Sequence, residues 1–259
     1  MVQPKKRLGQ HFLTDPAIAR RIVDSLDIPP GDPVMEIGPG KGILTEFLLE
    51  KSVPLYLVEI DTESVEYLTK RWPSLSERII RDDVLNISWN TITEGPLHII
   101  GNFPYNISSQ IFFRVLKYRS HVNQVVCMIQ KEVATRLASP PGSKDYGILS
   151  VLLQAYFDLE FLFTVKPGSF FPPPKVHSGV IRLQRNNTRA LDCNEDLFFT
   201  LVKTSFNQRR KTIRNSLKAK LLNLDRDWEI LSKRPEQLAV SDFVELTHMI
   251  ESAGISQNP

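Results

Sequence analysis

From residue 16 to about residue 183 the chain alternates short apolar runs with segments of helical periodicity, and this alternation limits the fold more than any other feature. The runs are VMEI at 34–37, LYLVEI at 55–60, RII at 78–80, LHII at 97–100 and QVVCMI at 124–129. Strands that are apolar on both faces belong inside a sheet covered by helices on each side. Ile43–Lys51 and Thr62–Trp72 have the helical spacing to supply such covers. Further on, FDLEFLFTV at 157–165 and VIRLQ at 180–184 read as strands with only the proline-rich PGSFFPPP between them, which predicts an antiparallel hairpin at the sheet edge. The expectation is a doubly wound, mostly parallel seven-stranded α/β sheet.

After the polar stretch Arg185–Arg189 the pattern changes: Leu197–Ser205, Arg209–Leu222, Trp228–Leu231 and Phe243–Ile250 are helical without strands. The reading is a catalytic-type α/β domain over residues 1–185 and a small all-α domain over 190–259. With 42% hydrophobic and 24% charged residues, the composition excludes disorder, collagen-like repeats and coiled-coil arrays. The longest apolar run, Val125–Ile129, is far short of the ~20 residues a membrane span needs. The amino terminus also lacks the apolar core of a signal peptide, so a cytoplasmic protein without a membrane partner is expected. Cys127 and Cys193 form no CxxC and the histidines no HExxH, so neither a disulfide framework nor a metal site is expected. No oligomerisation seam is evident, and a monomer is expected.

The net charge of +3 conceals an asymmetry. Lys5, Lys6 and Arg7 crowd the first 14 residues and seven Lys or Arg crowd 200–220, neither stretch holding an acid, which leaves 22 basic against 29 acidic residues elsewhere. Two basic segments on an acidic body suggest surfaces for a polyanion.

The chemistry starts after the first of the apolar strands. Gly38-Pro39-Gly40-Lys41-Gly42 leads directly into a helical pattern, the strand–turn–helix of a nucleotide-type site, where Gly38 and Gly40 let the backbone approach a ligand. A dinucleotide fingerprint calls for Gly or Ala at position 43, which is Ile43, and a Walker A loop calls for Lys-Ser/Thr after Gly42. Glu59 ends the second strand and can accept from ribose hydroxyls, while Asp83 follows the third and can accept from an adenine amine. Together they suggest a class I methyltransferase site for S-adenosylmethionine.

Asn102-Phe103-Pro104-Tyr105 follows the fourth strand, at the same sheet edge. An exocyclic amine conjugated to a base is a poor nucleophile, and two acceptors on its hydrogens favour a tetrahedral nitrogen and align it for attack on a methyl group. The Asn102 side-chain oxygen and the Phe103 carbonyl fit that task, Pro104 fixes the turn and Tyr105 stacks on the base. A base brought into such a pocket needs a second aromatic wall, for which Phe170 is the expectation and Phe171 the substitute.

These motifs, with KKRLGQHFL at 5–13, VEID at 58–61, QKEVATRL at 130–137, FFPPPKVHS at 170–178 and SFNQRRKTIRNSL at 205–217, are similar to those of the KsgA/RsmA family of small-subunit ribosomal RNA adenine dimethyltransferases. The resemblance runs over nearly the whole chain. It implies a class I, Rossmann-like fold and transfer of two methyl groups from S-adenosylmethionine to each of two adjacent adenosines near the 3′ end of 16S rRNA, within the small ribosomal subunit. It implies cofactor contacts at His11, Leu13, Gly38, Glu59, Asp83 and Asn102, and target-adenine contacts at Asn102, Tyr105 and Phe170. His11 stands where the family usually has Asn, and Phe103 where it usually has Leu.

For the basic segment, a helix capped by Asn207 places Arg209, Arg210 and Lys211 in a first turn, against the macrodipole, unless an RNA phosphate sits there. Arg214 lies on the shoulder of an apolar arc formed by Phe206, Ile213, Leu217 and Leu221. Two other readings share parts of this pattern: a large-subunit rRNA methyltransferase of the resistance type and a non-catalytic assembly factor. A dinucleotide oxidoreductase is a distant third.

Overall fold

The computed structural model describes residues 2–221 and 228–253. Its elements are β1 (Phe12–Leu13), α1 (Pro16–Asp24), β2 (Val34–Ile37), α2 (Ile43–Leu49), β3 (Leu55–Val58), α3 (Thr62–Arg71), β4 (Ile79–Ile80), β5 (Leu97–Asn102), α4 (Ser108–Lys117), β6 (Val122–Gln130), α5 (Lys131–Leu137), α6 (Ile148–Gln154), β7 (Phe157–Val165), β8 (Phe170–Phe171), β9 (Ser178–Arg185), α7 (Glu195–Asn207), α8 (Ile213–Ser216) and α9 (Val240–Ser252).

The main sheet has seven strands in the order β4-β3-β2-β5-β6-β9-β7. From β4 to β6 neighbours are parallel, and β9 runs antiparallel to β6 with Gln130 opposite Ser178. This is the sheet expected from the apolar runs. Val34, Met35, Leu57, Ile99, Ile100 and Val125 to Ile129 have essentially no solvent exposure, as strands covered on both faces must. Helix starts follow local chemistry: the Asp15 carboxylate accepts from the Ala17 and Ile18 amides ahead of α1, with Pro16 at its first position, and Asp61 accepts from the Ser64 amide at α3.

The chain order reverses between β2 and β5, so the loops after these strands leave the same sheet edge on opposite sides of a crevice. A separate two-stranded ribbon pairs β1 with β8, Phe12 opposite Phe171 and Leu13 opposite Phe170. Two-residue strands carry too little pattern to be read from sequence, and this ribbon was not expected.

The described residues divide into two compact units: those up to Thr135 with Asp158–Arg185, and Arg136–Phe157 with those from Asn186 onward. The segment 136–157, which the sequence boundary at 185 leaves with the sheet, therefore goes with the helices. The reason is packing. Val151, Leu152 and Leu153 of α6 are fully buried and α6 contacts α7 and α9. In this second unit Phe243 packs against Phe198 and Phe206, and Tyr146 meets Phe206 edge-on.

The expectation for the basic segment is corrected here. Asn207 is the last residue of α7, not the cap of a new helix, and Arg209 to Lys211 follow a helix carboxyl end. Cations there complement the macrodipole instead of opposing it. The expected helix over 209–222 is replaced by the single turn α8 and a 3-10 turn at Lys218–Lys220, with Leu222 outside the described residues. The arc was nonetheless correctly apolar: Phe206, Ile213, Leu217 and Leu221 are all buried. Among the described residues no helix is long and apolar enough to cross a membrane.

Candidate active site

A cavity of about 190 Å³ opens at the crevice between the β2 and β5 loops, within the first unit. Gly38, Gly40, Glu59, Asp83, Asn102, Phe103, Pro104, Tyr105 and His11 all line it, so residues scattered over 95 positions of sequence meet as the strand-end reading requires. Leu13 lines a small neighbouring recess together with Glu36, Gly38 and Asn102.

The glycine loop is tied to the acid beside it. The Gly40 amide donates to Glu59 Oε2 at 3.0 Å and the Asp61 amide donates to Glu59 Oε1 at 2.9 Å. Glu59 is 4% exposed, and burial pushes its carboxyl above the usual range while these amides work in the opposite direction. Gly40 has φ +55, and a β-carbon there would lie 2.7 Å from the Phe12 ring, so only glycine lets β1 approach the loop this closely. Behind the loop, Glu36 is fully buried and accepts from Thr45 Oγ1 at 2.6 Å. Burial pushes its carboxyl up to about 8.

Asn102 terminates β5, and its Nδ2 donates to the His11 carbonyl at 2.8 Å. That bond settles which end of the amide is which. It leaves Oδ1 as an acceptor on which no described residue donates. The following residue is equally fixed: Phe103 is buried, and its amide donates to the Met128 carbonyl at 3.0 Å. Tyr105 lines the cavity with its hydroxyl 2.6 Å from Ser178 Oγ, and its ring stacks with His11 at 5.7 Å between centroids. The His11 ring is held in turn through Nδ1, 2.8 Å from the Pro172 carbonyl oxygen.

Several lining residues escaped the sequence reading. Ile60 and Val84 directly follow the two strand-end acids and supply apolar walls, while Leu8 and Gln10 come from the amino-terminal segment beside Arg7, which was read as a polyanion contact and also lines the cavity. The signal for the first two was adjacency to the acids. Asp83 lines the cavity as expected, and its Oδ1 also accepts from the Leu85 amide, a local turn bond.

Phe170 is placed elsewhere. It is 4% exposed, packs in the core cluster with Leu13 and does not line the cavity, whereas Phe171 is 54% exposed. Alternation along the β8 ribbon separates the two rings, because successive side chains point to opposite faces. Among the basic residues, Lys5 is ion-paired with Asp61 and, at 3.0 Å, with Glu63. Asp61 is held below the ordinary aspartate value: burial opposes this, and the bonds from Lys5 and Ser64 outweigh it. Lys6 and Arg7 are exposed. Arg209 donates to the Ser143 and Lys144 carbonyls and lies 3.7 Å from Glu236, while Arg210, Lys211 and Arg214 are exposed.

Carboxylate acceptors, apolar walls and a close backbone loop fit an adenosine-bearing ligand. That chemistry, at the switch point of this sheet, places the chain among the class I S-adenosylmethionine-dependent methyltransferases. The chain belongs to the ribosomal RNA adenine dimethylase family, whose model matches residues 1–251. It is 54% identical to the ribosomal RNA small subunit methyltransferase A of Parabacteroides distasonis over 98% of each chain. It is equally identical to the protein of that name from Flavobacterium johnsoniae, again over 98% of each. Among solved structures it is similar in fold to a dimethyladenosine transferase from Plasmodium falciparum, with a TM-score of 0.79 and 24% identity over 94% of this chain and 98% of that one. It is also similar to the 23S rRNA methyltransferase ErmE, with a TM-score of 0.66 and 26% identity over 92% and 99%.

Proposed function

We propose that the protein is an rRNA adenine N6,N6-dimethyltransferase that uses S-adenosylmethionine to modify two adjacent adenosines in the 3′-terminal hairpin of 16S rRNA during small-subunit assembly, as a cytoplasmic monomer. The observation that carries this reading is the Asn102 side chain, fixed by the His11 carbonyl with its oxygen uncommitted, in the cavity that Gly38 also lines.

S-adenosylmethionine bound here would supply an electrophilic methyl group on a sulfonium, whose sulfur leaves as a neutral thioether. Gly38 and Gly40 would admit it closely, Glu59 would accept from its ribose hydroxyls and Asp83 from its adenine amine, with Ile60 and Val84 as apolar walls. His11 and Leu13 close the site from the amino-terminal segment. The target adenine leaves its stack and lies against Tyr105. Asn102 Oδ1 and the Phe103 carbonyl accept from its exocyclic amine, which draws the nitrogen toward tetrahedral geometry and points its lone pair at the methyl. No strong base is needed before transfer. The nitrogen becomes cationic only as the bond forms, and it then loses a proton readily to water. After the first methylation one hydrogen remains, and either acceptor can hold it for the second.

The RNA contacts are assigned to Lys6 and Arg7 beside the cavity and to Arg210, Lys211 and Arg214 on the helical unit. Lys5 and Arg209 hold these segments through their protein partners. The test is nucleoside mass spectrometry of undermethylated small-subunit particles after incubation with the protein and labelled cofactor. N6,N6-dimethyladenosine at two adjacent positions is expected. Transfer to large-subunit RNA would identify a resistance-type enzyme instead, and binding without transfer an assembly factor.

A further inference from the structure

We propose that Ser178 is a positioning residue for the methyl-transfer reaction, fixing the axis of the Tyr105 ring on which the target base stacks. The inference rests on the reading of Tyr105 given above.

Tyr105 lies in the loop between β5 and α4, whereas Ser178 is the first residue of β9 and 73 positions away in sequence. The two hydroxyls are 2.6 Å apart. Ser178 is fully buried, and its backbone sits in ladder register opposite Gln130. The next position gives the strand no room to slide: a β-carbon on Gly179 would lie 2.7 Å from the Phe161 ring and 2.8 Å from the Ala134 β-carbon. Ser178 Oγ is therefore a fixed point carried by the sheet, and the tyrosine loop is tied to it.

The geometry of tyrosine explains what that bond controls. Its hydroxyl lies on the Cβ–Cγ axis, so a hydrogen bond there fixes where the ring points without restricting rotation about that axis. Rotation is limited by a different contact, the His11 ring, which stacks at 27° and is itself anchored to the Pro172 carbonyl. Axis and plane are thus held by separate partners, both on elements outside the tyrosine loop. A stacking platform preset in this way spares the base the cost of ordering it on arrival. Burial also pushes the Tyr105 phenol above its ordinary range, partly offset by the Ser178 hydroxyl.

The experiment compares Ser178→Ala, Tyr105→Phe, the double variant and Tyr105→Ala in the full chain, with undermethylated small-subunit particles as substrate. Ser178→Ala and Tyr105→Phe each delete the same bond from opposite ends. Each is expected to raise KM for the particle about 10-fold, and the double variant to do no more than either alone. Calorimetric affinity for the cofactor stays unchanged, which a general loss of structure would not allow. If Ser178→Ala does not fold, Tyr105→Phe still reports the bond. Additive effects, or an unchanged KM in Ser178→Ala and Tyr105→Phe while Tyr105→Ala is impaired, would overturn the positioning role. An unimpaired Tyr105→Ala would overturn the stacking reading itself and this inference with it.

Discussion

The Asn102 side-chain amide donates to the backbone carbonyl of His11 across 91 residues of sequence, at 2.8 Å. The bond couples the amino-terminal segment to the end of β5 and turns the amide oxygen into the free acceptor. Asn102→Asp keeps the shape but cannot donate, and it sets a charge against the carbonyl. Single-turnover methyl transfer is expected to fall by about 100-fold or more, the scale seen when one preorganised polar group is removed. A rate within a few-fold of wild type would remove Asn102 from the chemistry.

Glu59 joins the Gly40 and Asp61 amides, so Glu59→Ala both removes the ribose acceptor and loosens the glycine loop. The expected result is cofactor affinity weaker by roughly 10- to 100-fold by calorimetry, the range for a hydrogen bond to a charged group. Unchanged affinity would place the ribose elsewhere.

Phe170 and Phe171 are separable by their burial. Phe170→Ala opens a core cavity and is expected to cost about 3–5 kcal/mol of stability in denaturant titration. Phe171→Ala should shift stability by only about 0.5 kcal/mol. It is instead expected to raise KM for RNA by about 10-fold, as removal of an exposed stacking surface would. The reverse pattern would assign the base wall to Phe170.

Arg210 and Lys211 stand exposed just past the carboxyl end of α7. Replacing both with alanine is expected to weaken particle binding and to flatten the plot of log affinity against log salt, by about one unit for each phosphate left without its cation. Helix stability should also drop slightly, because cations at this end complement the dipole. A salt slope equal to that of wild type would place the RNA on another face.

Glu36 takes up a proton on folding: its carboxyl lies at about 8 in the folded chain against an ordinary 4.5. The folded state then binds more protons than the unfolded state between these values, so the contribution of Glu36 to stability is complete below about 4.5 and is lost as pH rises through 8. Glu36→Gln keeps an acceptor for Thr45 without the ionisation. Melting temperatures of variant and wild type, measured from pH 5 to pH 9, are expected to diverge with rising pH in favour of the variant. Parallel curves would mean that Glu36 is ionised in the folded protein.

What the sequence determined by itself was local or periodic. Apolar runs such as Val34–Ile37 and Val125–Ile129 can only be interior strands, because no exposed strand tolerates them. Once the strand order of such a sheet is expected, residues at strand ends, Gly38, Glu59, Asp83 and Asn102, must gather at one edge. Tertiary structure decided the pairings between distant residues. That Lys5 meets Asp61, that Tyr105 meets Ser178, and that Phe170 turns inward while Phe171 faces water depend on the β1–β8 ribbon and on strand register, which short segments do not encode. The same holds at Asn207. Its side chain suits a helix start, but the buried apolar residues of α7, Phe198 to Phe206, extend the preceding helix through it. Packing over a whole helix outweighs the preference of one cap, and the direction of the dipole beside the basic residues was settled by that competition.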